Sequence, residues 1–181
     1  MKRNFSILLL MLTLLHIAFF CLSSCAQRNN TLSCRDVLDA MMSAEPALPS
    51  GKVYDMAAEA GEGEYLSANL IRALLLNDSL PDATEDWLDC AFYLSTLAHP
   101  CELAAVLCRD HDTAKDTATL FSARLAAIRL TKTDEKYAGL LSDARIVILD
   151  NYVLFIVSSD PDGVLKAARS AIRSGDGHLV I

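Results

Sequence analysis

Basic residues are in short supply: 16 Lys and Arg stand against 23 Asp and Glu, for a formal charge of −7. A chain this acidic repels phosphate backbones, so no nucleic-acid partner is expected. Anionic lipid headgroups repel it as well, so charge cannot be what holds it at a membrane. Catalytic signatures are missing too. The sequence has no G-x-S-x-G, no S-x-x-K, no H-E-x-x-H and no glycine-rich phosphate loop. After residue 25 no apolar tract is long enough for a membrane span, which needs about 20 residues. No catalytic residue, metal ligand or cofactor is assigned on these grounds.

What the chain does have is a marked beginning. Lys2 and Arg3 form a short positive region, and residues 5–22 are apolar apart from Ser6, Thr13 and His16. A positive start, an apolar stretch and then small residues make a secretory signal peptide. Its ending is specific: Leu22-Ser23-Ser24-Cys25 fits the lipobox of bacterial lipoproteins. Small side chains let the extended chain enter a narrow protease site, and the thiol takes a diacylglycerol thioether before cleavage. The competing reading is a retained anchor, since eighteen mostly apolar residues approach the ~30 Å of a hydrocarbon core. An anchor has no need of Leu-Ser-Ser-Cys at its boundary, nor of the polar Gln27-Arg28-Asn29-Asn30 beyond it. Cys21 lacks the small residues in front, so Cys25 is the expected lipid attachment site.

The expected organisation is therefore a lipoprotein signal peptide over residues 1–24, a lipidated Cys25 with a short tether over 25–32, and one domain over 33–181. The tether reaches ~25 Å at most, which keeps the domain near the outer, extracytoplasmic face of the membrane. Besides Cys25 the exported part keeps Cys34, Cys90, Cys101 and Cys108. Their spacing forms no recognisable disulfide framework, and a domain of this size needs none. Free, half-buried thiols are expected; the pair best placed for a bridge is Cys90 and Cys108.

Helical periodicity predicts a first helix over 33–43, with Cys34, Val37, Leu38, Met41 and Met42 on one stripe, and a second over 67–77. Residues 52–64 read as irregular. The stretch 87–94 is open between helix and strand, with aromatics and an alternating pattern favouring a strand. Residues 101–108 read as a strand, and a helix capped at Asp112 or Thr113 runs to about Leu130. ARIVIL and YVLFIVSS, joined by Asp150-Asn151, form a hairpin whose two-residue turn pairs Leu149 with Tyr152, Ile148 with Val153 and Ile146 with Phe155. Both its faces are apolar, so it is expected at the sheet centre. Asp160-Pro161 opens a last helix to about Arg173. Two strand-strand-helix units then give an α+β fold: a four-stranded antiparallel sheet from two ββα units, their helices on one face, with two additional N-terminal helices.

LPSGKVY, YLSANLIRALL, AFYLSTLAHPCELAAVLC, SARLAAI and RIVILDNYVLFIVSSD together resemble a family of bacterial lipoproteins, mostly from Gram-positive anaerobes, defined as a domain of unknown function. The resemblance spans about Leu48 to Ala171. It implies an extracytoplasmic lipoprotein and brings no activity, cofactor or catalytic residue. Asp150-Asn151 departs from the glycine expected in that turn.

Four groups of polar residues invite a chemical reading. His99, Cys101, Cys108 and His111 are metal-capable, but zinc pairs sit two to four residues apart on a turn, and here a strand of roughly 20 Å divides them. They read as a cysteine pair and two surface histidines. Asp110-His111-Asp112 and Asp160-Pro161-Asp162-Gly163 read as helix starts; the second lacks a twelve-residue calcium loop. Arg124, mid-helix among apolar residues, reads as half of an ion pair. The favoured role is a non-catalytic binding or assembly module, attached to the membrane by its lipid and facing a protein partner in the envelope. The alternative is an extracytoplasmic hydrolase or small-ligand receptor whose site forms only in the fold.

Overall fold

In a computed structural model of the chain, which describes residues 32–75, 84–96, 98–132 and 134–175, five strands make one antiparallel sheet. They are β1 (Gly51–Asp55), β2 (Trp87–Ser95), β3 (Glu102–Cys108), β4 (Arg145–Leu149) and β5 (Tyr152–Val157), in the spatial order β1-β2-β3-β5-β4. The helices are α1 (Cys34–Ala44), α2 (Ala68–Leu75), α3 (His111–Thr131), α4 (Ala138–Ser142) and α5 (Pro161–Gly175). The fold is α+β, as expected, but with five strands in place of four.

The additional strand is β1, inside the stretch read as irregular. Its pairing is non-local: Val53 lies opposite Tyr93 and Tyr54 opposite Phe92. A short segment with one buried residue carries little periodic signal of its own. Gly51 explains why it docks so closely. A Cβ there would stand 2.5 Å from the Leu94 carbonyl oxygen and from the Tyr93 ring, whose hydroxyl donates to the Pro49 carbonyl. Gly51→Ala is expected to cost about 1–3 kcal/mol by forced overpacking. Lys52→Ala, at an exposed neighbour, should stay within about 0.5 kcal/mol. Denaturant unfolding of the two variants checks this.

Strand side chains alternate between two apolar layers. Cys90, Phe92, Ala104, Val106, Val153 and Phe155 face α2, α3 and α4. Ala91, Tyr93, Leu103, Ala105, Leu154 and Ile156 face α1 and α5. The helices of the two strand-strand-helix units thus lie on opposite faces, which corrects the expected arrangement. A dyad relating neighbouring antiparallel strands stands perpendicular to the sheet and keeps both helices on one side, so these units are not symmetric duplicates. The physical reason is that both faces of β3 and β5 are apolar, and each needs its own helical cover.

The hairpin register agrees with the sequence reading at Leu149–Tyr152, Ile148–Val153 and Ile146–Phe155. Asp150 supplies the turn with a left-handed φ of 53°, a conformation in which aspartate is among the tolerated non-glycine residues. The position of the hairpin differs from the expectation. β5 is interior and buried along its length, pairing with β3 as well, whereas β4 is an edge strand and only half-buried. Its apolar second face is what suggested full cover.

Helix boundaries moved by one or two residues where they are described; residues 76–77 of the second expected helix lie outside the described residues. Ser33 caps α1 through Asp36 N–H, and Asp110, not Asp112 or Thr113, caps α3 by accepting from Thr113 N–H at 2.8 Å. The stretch 87–94 is strand. The short α4 was not anticipated.

Candidate functional site

Cys25 and residues 1–24, read from the sequence as a signal peptide, lie outside the described residues. The four other cysteines are free and buried, more deeply than expected. Burial pushes every one of these thiols up, Cys101 to about 12, helped by the carboxylates of Glu45 and Glu102. A thiol held protonated is a poor nucleophile and ligand. Cys108 sits 3.5 Å from the Thr117 hydroxyl, which also accepts from the Trp87 indole N–H at 2.8 Å, so it belongs to a small buried polar contact within the core. Cys101 and Cys108 face opposite layers.

His99 and His111 are not brought together. His99, in the turn between β2 and β3, accepts from the Cys101 backbone N–H at 3.1 Å and packs edge-on against Tyr137 at 5.0 Å. Burial lowers its pKa, with Lys136 and Lys132 adding to that and Glu45 opposing it. His111 begins α3, past the other end of β3. Among the described residues no group of three or more His, Cys, Asp or Glu side chains could hold a metal ion. Arg124 is an ion-pair partner, as expected: Nη2 and Nε reach the two Glu102 carboxylate oxygens at 2.6 and 3.1 Å. Asp160 caps α5 through Gly163 N–H at 3.0 Å, so that motif is a helix start.

One polar cluster escaped the sequence reading. Glu45, just past the end of α1, is buried and receives the Ser158 and Ser159 hydroxyls, with Ser159 N–H at 3.1 Å and Ala47 N–H at 3.3 Å. Burial alone would raise its pKa, but these donors outweigh it and hold the carboxyl below the ordinary glutamate range. The cluster ties α1 to the junction of β5 and α5. The available signal was an apolar strand ending on two adjacent hydroxyls, Ser158-Ser159.

An open feature of the described surface is β4. Among the described residues no strand follows it in the sheet. A groove of about 360 Å³ runs beside it, lined by Ile148, Leu149 and Asp150 from the hairpin and by Arg169, Ile172 and Arg173 from α5. At the opposite end of β4, Arg145 donates to the Asp143 carbonyl at 2.5 Å and lies 3.7 Å from Asp162. Strand β1, the other edge, is managed differently. Asp55 N–H donates to Glu64 O and its carbonyl accepts from Leu66 N–H, so the chain covers it at that end, and Gly51 and Lys52 keep the remainder small or charged.

No helix among the described residues is long and apolar enough to cross a membrane. No protein-family model, curated protein or solved structure matches the chain.

Proposed function

We propose that this is a membrane-anchored extracytoplasmic lipoprotein, processed after Ser24 and lipidated at Cys25, whose domain is a non-catalytic binding or assembly module for a protein of the envelope. The observation that carries this is Leu22-Ser23-Ser24-Cys25 placed directly after a positive region and an apolar run. The residues with chemical potential support the binding half. The cysteines are packed in the core, Arg124 is tied to Glu102, and Asp110 and Asp160 are used as caps. The half-buried apolar edge at β4 is a surface of the kind that takes protein backbone by strand addition.

Growth with a labelled fatty acid tests the anchor. Wild type is expected to carry label and to sediment with membranes. Cys25→Ala should lose the label completely. Equal labelling of the two would overturn the proposal.

A further inference from the structure

Resting on that reading of an anchored assembly module, we infer that the β4 edge is a homodimer interface: a second copy of this chain pairs β4 with β4 antiparallel, making one continuous sheet across the dyad. Unpaired N–H and C=O groups along an edge are a template for another strand. Along β4, Ile146, Val147, Ile148 and Leu149 are all half-buried. Charged side chains, proline, bulges and shortness are the usual protection of such edges; in the five-residue RIVIL the one charge is Arg145 at its first position, and the four residues after it are apolar.

Charge selects the occupant. The edge is bounded at the start of β4 by Asp143, Arg145 and Asp162, where two carboxylates outnumber one guanidinium, and exposed Lys166, one turn beyond Asp162 on the same stripe of α5, stands midway between this end and the other. At the end of β4 it is bounded by Asp150, Arg169 and Arg173, where two guanidiniums outnumber one carboxylate. Asp143, Asp150, Asp162, Arg169 and Arg173 are exposed. A perpendicular dyad brings the acidic end of one copy against the basic end of the other, twice. A parallel partner would oppose like with like. The surface is thus complementary to itself in one orientation, as an isologous contact requires. Shared membrane anchoring favours such pairing, because confinement raises the effective concentration of each copy for the other. Tyr152 Oη donates to the Leu32 carbonyl at 2.6 Å, which puts the tether's exit near the turn end of the hairpin. The dyad therefore places the two exits at opposite ends of β4.

The full-length protein is crosslinked in isolated membranes with an amine-independent photo-crosslinker and sedimented in detergent at several concentrations. Wild type is expected as a dimer. Asp162→Lys alone, and Arg169→Glu with Arg173→Glu, should each raise the dissociation constant at least tenfold. The three substitutions together restore opposite signs and should recover most of that loss, which misfolded variants would not do. A monomeric wild type would overturn the inference, as would a dimer indifferent to both charge changes. Dimers appearing only after removal of residues 176–181 would overturn it too, showing that the chain's own end occupies the edge. The same samples carry the fatty-acid label. Labelled monomer means that the dimer is wrong, and unlabelled dimer means that the anchor is wrong.

Discussion

Phe155→Asp is expected to leave the protein largely unfolded at 25 °C. Phe155 is 1 % exposed, lies on β5 between Ala104 and Ile146, and stacks parallel on Phe121 with ring centroids 4.9 Å apart. Removing a buried phenyl ring typically costs 3–5 kcal/mol through lost transfer energy and the cavity left behind. The carboxylate then meets a layer built from Val106, Val153 and Phe121, with no donor offered by any of them, and must either stay charged at high cost or take up a proton. The sum, upwards of about 5 kcal/mol, is comparable with the whole stability of an ordinary domain. Leu88→Asp is the control, since Leu88 is 57 % exposed on β2 and should move stability by no more than about 0.5 kcal/mol. Circular dichroism melts of both variants check the assignment. A Phe155→Asp protein that melts like wild type would mean that this face of the sheet is not the core.

Glu45→Ala should be the next most damaging change, at about 2–4 kcal/mol, because hydroxyl and amide donors gathered for a charge lose their acceptor inside the fold. Ser158 is itself buried, so its hydroxyl, which still accepts from Asp160 N–H, would be left with no acceptor for its own proton. Glu45→Gln keeps the shape and one acceptor oxygen and should cost less. The two proteins also separate by pH. The donors hold the folded carboxyl below its unfolded value. The charge therefore adds stability above the ordinary glutamate value, and that stability drains away as pH falls through the window between the unfolded and the lower folded value. Denaturation midpoints of wild type and Glu45→Gln, measured across that window, should converge toward acid. A constant gap would show that the carboxylate's charge contributes nothing.

How much of this could be read beforehand depended on how local the deciding physics was. The register of β4 and β5 follows from a two-residue turn at Asp150-Asn151, and each pairing follows from that turn. Asp160 and Pro161 marked the start of α5 by fixed local chemistry. Arg124 among apolar helical neighbours implied a carboxylate, though not that it would be Glu102. Strand β1 was not legible, because what makes Gly51–Asp55 a strand is Tyr93 and Leu94, some forty residues on. Nor was the placement of α3 and α5 on opposite faces, since alternation along β3 and β5 is apolar on both sides and does not say which helix covers which. Glu45 was hidden for the same reason: its partners come together only when α1 docks beside the end of β5. The surface at β4 shows both aspects at once, an apolar strand plain in RIVIL and an edge position that only the sheet order reveals.

The most direct measurement is the mass of the N-terminal peptide of the protein recovered from its native membrane. The account predicts a peptide that begins at Cys25 and carries the added mass of a diacylglycerol thioether, with no trace of residues 1–24. A peptide beginning at Met1, or one in which Cys25 keeps a free thiol, would contradict it.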